Sequence, residues 1–228
     1  MVSDFLGGFR VLGFDLETTG FNPRQDRVVQ FALVGSDSDG SQLSMQSLVN
    51  PGCRIPVESS NVHGIFDEDV RDAESFGEHL DSICEMIDGS IIVGHNVVAF
   101  DWRFLEMECI RIGREVPSPL ALVDTLELAR TLGIPGGHRL GVLCERFGYH
   151  WRDPIARMRM LGLPYSFFGN SWSPFLKGSK ETPETFWTQF LTDRSRGDQG
   201  RISDQSPIRA VLPPNMILPR NRYPSSSA

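Results

Sequence analysis

Phe14-Asp15-Leu16-Glu17-Thr18-Thr19-Gly20 is the stretch that decides how this chain is read. It follows an apolar run from Phe9 to Phe14 and reads as the C-terminal end of a buried strand. Side chains two apart on a strand share a face, so Asp15 and Glu17 point the same way. Two carboxylates that close repel each other unless a proton or a cation separates them. Hard ions such as Mg²⁺ or Mn²⁺ suit an all-oxygen site of this kind. A polar strand end followed by an ordinary Thr-Thr-Gly turn accounts for the same residues. The remainder of the chain has to separate the two readings.

At 228 residues the chain has room for one good core of about 150 residues. No stretch approaches the roughly 20 apolar residues of a membrane span, and Met1-Val2-Ser3-Asp4 lacks a secretory pattern. Cys53, Cys84, Cys109 and Cys144 are widely spaced, with no C-x-x-C pair. Reduced thiols in a cytoplasmic protein, with no zinc site and no membrane partner, are the expectation. The net charge of −7 hides an asymmetry: residues 1–150 hold 23 acids against 11 Arg and no Lys, a net of −12. The rest is net positive. A body this acidic has little nonspecific affinity for nucleic acid, which comes from counterions released at Lys and Arg. Metal ions or a partner would have to supply the attraction.

Along the chain, Arg27 to Val34 and Gln42 to Val49 read as two further strands, joined by a Gly35 to Gly40 hairpin loop. Together with the first strand they predict a three-stranded antiparallel meander. A loop containing Val62-His63-Gly64-Ile65 follows, then a helix over Phe76 to Ile87. Ile91-Ile92-Val93 is wholly apolar, as expected of a strand covered on both faces. Ala99 to Ile112 reads as an amphipathic helix stopped by Gly113. Leu122-Val123 leads into Asp124, which has capping spacing to Glu127 for a helix through Leu132. A last helix is expected from His138 to Phe147. A meander followed by alternating strands and helices describes an α/β domain with a mixed sheet. Beyond Tyr149 the prolines and tryptophans concentrate and periodicity ends, so one folded domain over 1–149 and an irregular tail over 150–228 are expected.

The second motif is Val93-Gly94-His95-Asn96-Val97-Val98-Ala99-Phe100-Asp101, which sets a carboxylate in the first turn of a helix. A helix dipole favours an acid there without any function. In order and spacing, however, F-D-L-E-T-T-G, V-H-G-I, G-H-N-x-x-x-F-D, V-D-T-L and H-R-L-x-x-L-C-E-R-F-G resemble the DEDDh 3′–5′ exonucleases. The likeness is greatest to the proofreading epsilon subunit of bacterial DNA polymerase III and its free-standing relatives, and it covers residues 8–149.

That resemblance implies a ribonuclease H-like fold and a particular chemistry. Asp15, Glu17 and Asp101 match three of four metal-binding carboxylates, which would hold two Mg²⁺ or Mn²⁺ ions around the scissile phosphate. Thr18 and the Thr19 backbone match positions that hold the terminal nucleotide, and His63 matches a residue near its sugar. Phe100 matches an aromatic that packs on the last bases, a sequence-blind contact; a Phe on a helix's apolar side is as often core. His95 and Asn96 are expected to brace the second motif. The implied activity is release of nucleoside monophosphates from a single-stranded 3′ end, DNA rather than RNA, with a DNA polymerase as a possible partner. An exoribonuclease and a noncatalytic module binding nucleic-acid ends or a polymerase are the alternatives.

The family's third motif, H-x-A-x-x-D, supplies the general base and the fourth metal ligand. After Gly148 this chain instead has His150-Trp151-Arg152-Asp153-Pro154-Ile155-Ala156, so the pattern fails at Ile155. His150 is the candidate substitute base, although Pro154 disfavours a helix here. Loss of a positioned base costs about 10²–10⁴-fold in rate. With GC-rich codons, reading residues 150–164 two bases later allows L-A-R-P-H-R-A-H-A-D-A-R-A-T, which restores the motif. An out-of-frame tail from about residue 150, lacking the fold's closing helix, is therefore expected; codons unable to yield that His and Asp would exclude it.

Overall fold

The computed structural model describes residues 8–131 and 133–146. Strands β1 (Val11–Thr18), β2 (Val28–Ser36) and β3 (Gln42–Leu48) form the antiparallel meander. Strands β4 (Ile91–Gly94) and β5 (Ala121–Asp124) extend it in parallel on the other side of β1. The sheet order is β3-β2-β1-β4-β5, the mixed sheet expected from the sequence. Helices α1 (Val57–His63), α2 (Asp67–Val70) and α3 (Phe76–Ile87) lie between β3 and β4. Helix α4 (Asp101–Ile112) joins β4 to β5, and α5 (Thr125–Thr131) and α6 (Leu140–Arg146) follow. None is long and apolar enough to cross a membrane.

Alternation along β1 divides the sheet's two faces. Leu12, Phe14 and Leu16 are buried in the main core with Phe31 and Leu33 of β2, with Phe76, Leu80, Ile83 and Ile87 of α3, and with Phe104, Leu105 and Cys109 of α4. Val11 joins Val93 and Val123 in a smaller cluster. Each fully buried Leu, Ile or Phe contributes about 1.5–3 kcal/mol, so the α3–α4 face dominates the stability of the domain. Two glycines allow close approach, Gly35 of β2 to β1 and Gly94 of β4 to the turn that follows it. A Cβ on Gly35 would sit 1.9 Å from the Val11 carbonyl oxygen, and one on Gly94 would sit 2.5 Å from Val97 Cβ.

Three boundaries differ from the sequence reading. Val57–His63 is helical where a loop was expected. Pro56 precedes it with φ −60° and Gly64 closes it in the left-handed conformation at φ 76°, so both end signals were present in the sequence. Helix α4 starts at Asp101, not Ala99, because Asn96 through Phe100 form a turn of their own. Helix α6 starts at Leu140, with His138 bonded back to the Ile134 carbonyl at 2.6 Å. Leu132, Phe147, His150 and the tail over 150–228 lie outside the described residues.

Candidate active site

Asp15 and Glu17 sit half-buried on one face of β1, opposite Ala32 and Gln30 of β2. The register shifts between Glu17 and Thr18, so the strand bends directly after the second carboxylate. Because β4 runs parallel to β1, it delivers its chain to the same end of the sheet. The turn after Gly94 then carries the first residue of α4 over β1. There the buried Asp101 accepts a 2.9 Å hydrogen bond from the Leu16 N–H, between the two acids of the first motif. Residues 85 positions apart thus meet at the carboxyl ends of adjacent strands, the usual location of sites in such sheets.

The turn that makes this possible is held from β5. Asn96 adopts φ 64°, a left-handed conformation that Asn tolerates better than most residues. Its carbonyl accepts from Ala99 N–H at 3.2 Å and Phe100 N–H at 3.0 Å. Its own N–H donates to Asp124 Oδ1 at 2.9 Å, and Val98 N–H donates to Asp124 Oδ2 at 3.2 Å. The same Oδ1 accepts from Leu126 N–H at 2.9 Å and Glu127 N–H at 3.4 Å. Asp124 therefore caps α5 as the sequence implied, and it also grips the second motif. Beside it, Thr125 Oγ1 donates to the Gly94 carbonyl and lies 3.0 Å from His95 Nδ1, so His95 braces the same turn. Burial lowers the His95 pKa and favours a neutral ring.

Burial raises the Asp101 pKa well above the ordinary carboxylate range. The negative charge of Asp15 adds to the rise, Glu17 adds less, and the Leu16 N–H opposes it. Asp101 is thus poised to hold a proton unless a positive charge replaces it. Three carboxylates form an all-oxygen donor set of the kind that hard divalent ions take, and the repulsion felt at Asp101 is what such an ion would relieve. In donor chemistry the residues fit Mg²⁺ or Mn²⁺. Among the described residues, no group of three or more His, Cys, Asp or Glu is placed to hold a metal ion.

Thr18 is the last residue of β1 and Thr19 opens the turn beyond it, both buried. Thr18 Oγ1 donates to the Gly20 carbonyl at 2.6 Å. Thr19 is engaged on all sides: its N–H donates to the Arg27 carbonyl at 2.9 Å and its Oγ1 accepts from Arg27 N–H at 3.0 Å. Its carbonyl accepts from Ser59 Oγ of α1 at 2.8 Å. The turn is therefore rigid, and α1 is docked on it.

His63 ends α1. Its Nδ1 accepts the Ile65 N–H at 3.1 Å, which leaves the proton of the neutral ring on Nε2. Burial lowers its pKa and favours the neutral ring, while a hydrogen bond to the Thr18 backbone opposes that shift. Nε2 is buried and turned toward the Thr18 backbone, so the ring ties α1 to the end of β1.

Phe100 stands immediately before α4, half-buried, with its ring centroid 5.1 Å from Phe104 and 6.2 Å from Phe21. Phe21 is 87% exposed. Sequence reading passed over Phe21, Ser59 and the grip of Asp124 on residues 96–98. For Phe21 a signal existed, since a large aromatic directly after a Thr-Thr-Gly turn has no core to enter. The other two depend on chain segments brought together only by folding.

Residues 12–150 match the RNase T exonuclease family, and the chain belongs to that family. Its relatives include a PolC-type DNA polymerase III of Pediococcus pentosaceus, 34% identical over 145 residues. Another is a DNA polymerase III subunit epsilon-like protein of Rhodobacter capsulatus, 35% identical over 140 residues. These alignments take in 63% and 59% of this chain but only 10% and 19% of the respective relatives. Among solved structures, exonuclease I superposes with a TM-score of 0.62 at 19% identity, over 79% of this chain and 43% of that one. Exonuclease I of E. coli in complex with a dT13 oligonucleotide superposes with a TM-score of 0.60. At that identity the likeness establishes the fold, and the fold is the ribonuclease H-like one expected from the motifs.

Proposed function

We propose that this chain is a metal-dependent 3′–5′ exonuclease that takes a single-stranded DNA end and releases nucleoside monophosphates. The observation that carries the reading is the Asp101 carboxylate, buried against Leu16 N–H and electrostatically coupled to Asp15 and Glu17. Asp15, Glu17 and Asp101 would hold Mg²⁺ or Mn²⁺, which when bound supplies the positive charge that polarises a scissile phosphate and its attacking water. The chain's own residues do the positioning. The Thr18–Gly20 turn forms a rigid wall for the terminal nucleotide. His63, which ends α1 beside the Thr18 backbone, is placed to flank the terminal sugar. Phe100 and Phe21 offer ring faces to the last bases, a contact worth about 1–3 kcal/mol per base and indifferent to sequence. The dT13 complex of exonuclease I supports a DNA oligonucleotide as a substrate, and the names of the PolC-type and epsilon-like relatives support a polymerase partner.

A second reading is favoured by one observation in the sequence: H-x-A-x-x-D does not follow Gly148. On that reading the same site binds a nucleic-acid end without cutting it. His150 is proposed as the substitute base under the first reading, and residues from about 150 as an out-of-frame tail under the second. Digestion of labelled single-stranded DNA and RNA with and without Mg²⁺ separates them. Cleavage abolished by Asp15→Ala supports the exonuclease, and DNA cut in preference to RNA supports the substrate. Metal-dependent retention of the oligonucleotide without products supports the binding module.

A further inference from the structure

Glu108 lies two turns along α4 from Asp101, and its side chain is 2% exposed. A buried carboxylate needs charge partners, and it has two. Arg27 donates to both of its oxygens, Nε to Oε1 at 2.9 Å and Nη2 to Oε2 at 3.2 Å. Arg111 Nη1 donates to Oε1 at 2.8 Å. Each arginine is also tied to the turn after the first motif. The Arg27 main chain closes that turn on both sides of Thr19. Arg111 Nη2 donates to the carbonyls of Pro23 at 2.7 Å and Asp26 at 3.2 Å. Asp26 in turn receives Asn22 N–H at 2.8 Å, and a Cβ on Gly20 would lie 2.5 Å from Asp26 Oδ2. The 19–27 turn is thus fastened to the middle of α4 by an ion network, while Phe21 meets Phe100 at the helix's start.

We propose that the Arg27–Glu108–Arg111 network is a positioning clamp that sets the Thr18–Gly20 turn relative to the Asp101 end of α4. The inference rests on the exonuclease reading for its purpose and on the geometry alone for its mechanics. A planar, bidentate guanidinium fixes orientation as well as distance, which a point charge does not. The two acids of the first motif and the turn belong to β1, whereas Asp101 belongs to α4. Something has to keep a nucleotide held by the first at a constant distance from the second. Glu108, Arg27 and Arg111 are positioning residues and touch no reacting group.

The test uses the full chain, with Glu108→Gln and the pair Arg27→Gln/Glu108→Gln. Glu108→Gln leaves two arginines facing a neutral group, so its melting midpoint falls. The double variant removes one stranded charge, and its midpoint recovers toward the parent. The clamp remains broken in both. Amide exchange at Thr19 and Leu16 is expected to accelerate at least about 10-fold in both variants while Ile92 and Val93 keep their protection. On a labelled single-stranded oligonucleotide with Mg²⁺, kcat is expected to fall about 10–100-fold in both. Unchanged exchange at Thr19 and Leu16, or a kcat that recovers together with the midpoint in the double variant, overturns the clamp. If the parent itself cuts nothing, the exonuclease reading fails and the exchange pattern alone judges the clamp.

Discussion

Removing the Asp124 carboxylate tests how the second motif is built. In Asp124→Ala, the N–H groups of Asn96, Val98, Leu126 and Glu127 lose their acceptor together. Loss of a helix cap costs about 0.5–2 kcal/mol. Each stranded N–H in a buried setting costs a further 1–3 kcal/mol or so, but Asn96 and Val98 are only half-buried and water can reach them. A total of about 3 kcal/mol follows, a large share of the roughly 5–15 kcal/mol that holds a domain. With a urea dependence of about 1–3 kcal/mol per molar, the midpoint moves down by about 1–3 M. Asp124→Asn sharpens the argument. Its Oδ1 still serves three of the donors, while its amide nitrogen sets a donor against Val98 N–H, at a cost of about 1–2 kcal/mol. Urea unfolding followed by far-ultraviolet circular dichroism gives the order parent, Asn, Ala. An alanine variant within about 0.5 kcal/mol of the parent, the range of an inert surface change, would refute the claim that Asp124 holds the turn carrying Asp101.

Three further outcomes follow from the same geometry. The raised pKa of Asp101 means the folded chain holds a proton that the unfolded chain releases. The contribution of Asp101 to metal-free stability is therefore full below the ordinary Asp value of 3.8 and is lost as pH climbs from there through the raised value. Asp101→Asn keeps the acceptor for Leu16 N–H and flattens that decline, while Mn²⁺ raises the parent's melting temperature more at higher pH, because binding expels the proton. A pH profile identical in parent and variant contradicts the assignment. Gly35→Ala drives a Cβ into the Val11 carbonyl, a backbone atom that cannot swing aside. It should cost at least the upper end of the roughly 1–3 kcal/mol of ordinary overpacking. Phe21→Ala leaves stability within about 0.5 kcal/mol because the ring is exposed. The same change weakens binding of a single-stranded oligonucleotide by about 1–3 kcal/mol, the value of one stacked base, as a fluorescence anisotropy titration would report.

Most of the sheet was legible because each strand wrote its own pattern. The meander over β1 to β3 and the apolar β4 follow from period and turn residues, which are local properties. Helix α1 was missed because Val57–His63 is polar and mostly exposed, so no apolar stripe announced it; only Pro56 and Gly64 marked its ends. In the site, Asp15 and Glu17 were readable as a pair since strand geometry alone puts them on one face. That Asp101 joins them needed either the ordered motifs or the structure, because a helix dipole explains an acid at that position equally well. The cap made by Asp124 was readable, but its hold on residues 96–98 and the roles of Glu108 and Ser59 were out of reach. Each of these contacts joins residues 26 to 81 positions apart, and no periodicity records such a contact.

The most direct measurement is a digestion of single-stranded DNA labelled at its 5′ end, with and without Mg²⁺, by the parent chain and by Asp15→Ala, Glu17→Ala and Asp101→Asn. The expected result is a ladder of 5′-labelled products shortened one nucleotide at a time by the parent in Mg²⁺. The ladder should be absent without metal and lost in all three variants. A parent that leaves the DNA intact, or variants that digest it at the parent's rate, would contradict the claim that these three carboxylates are an exonuclease's metal site.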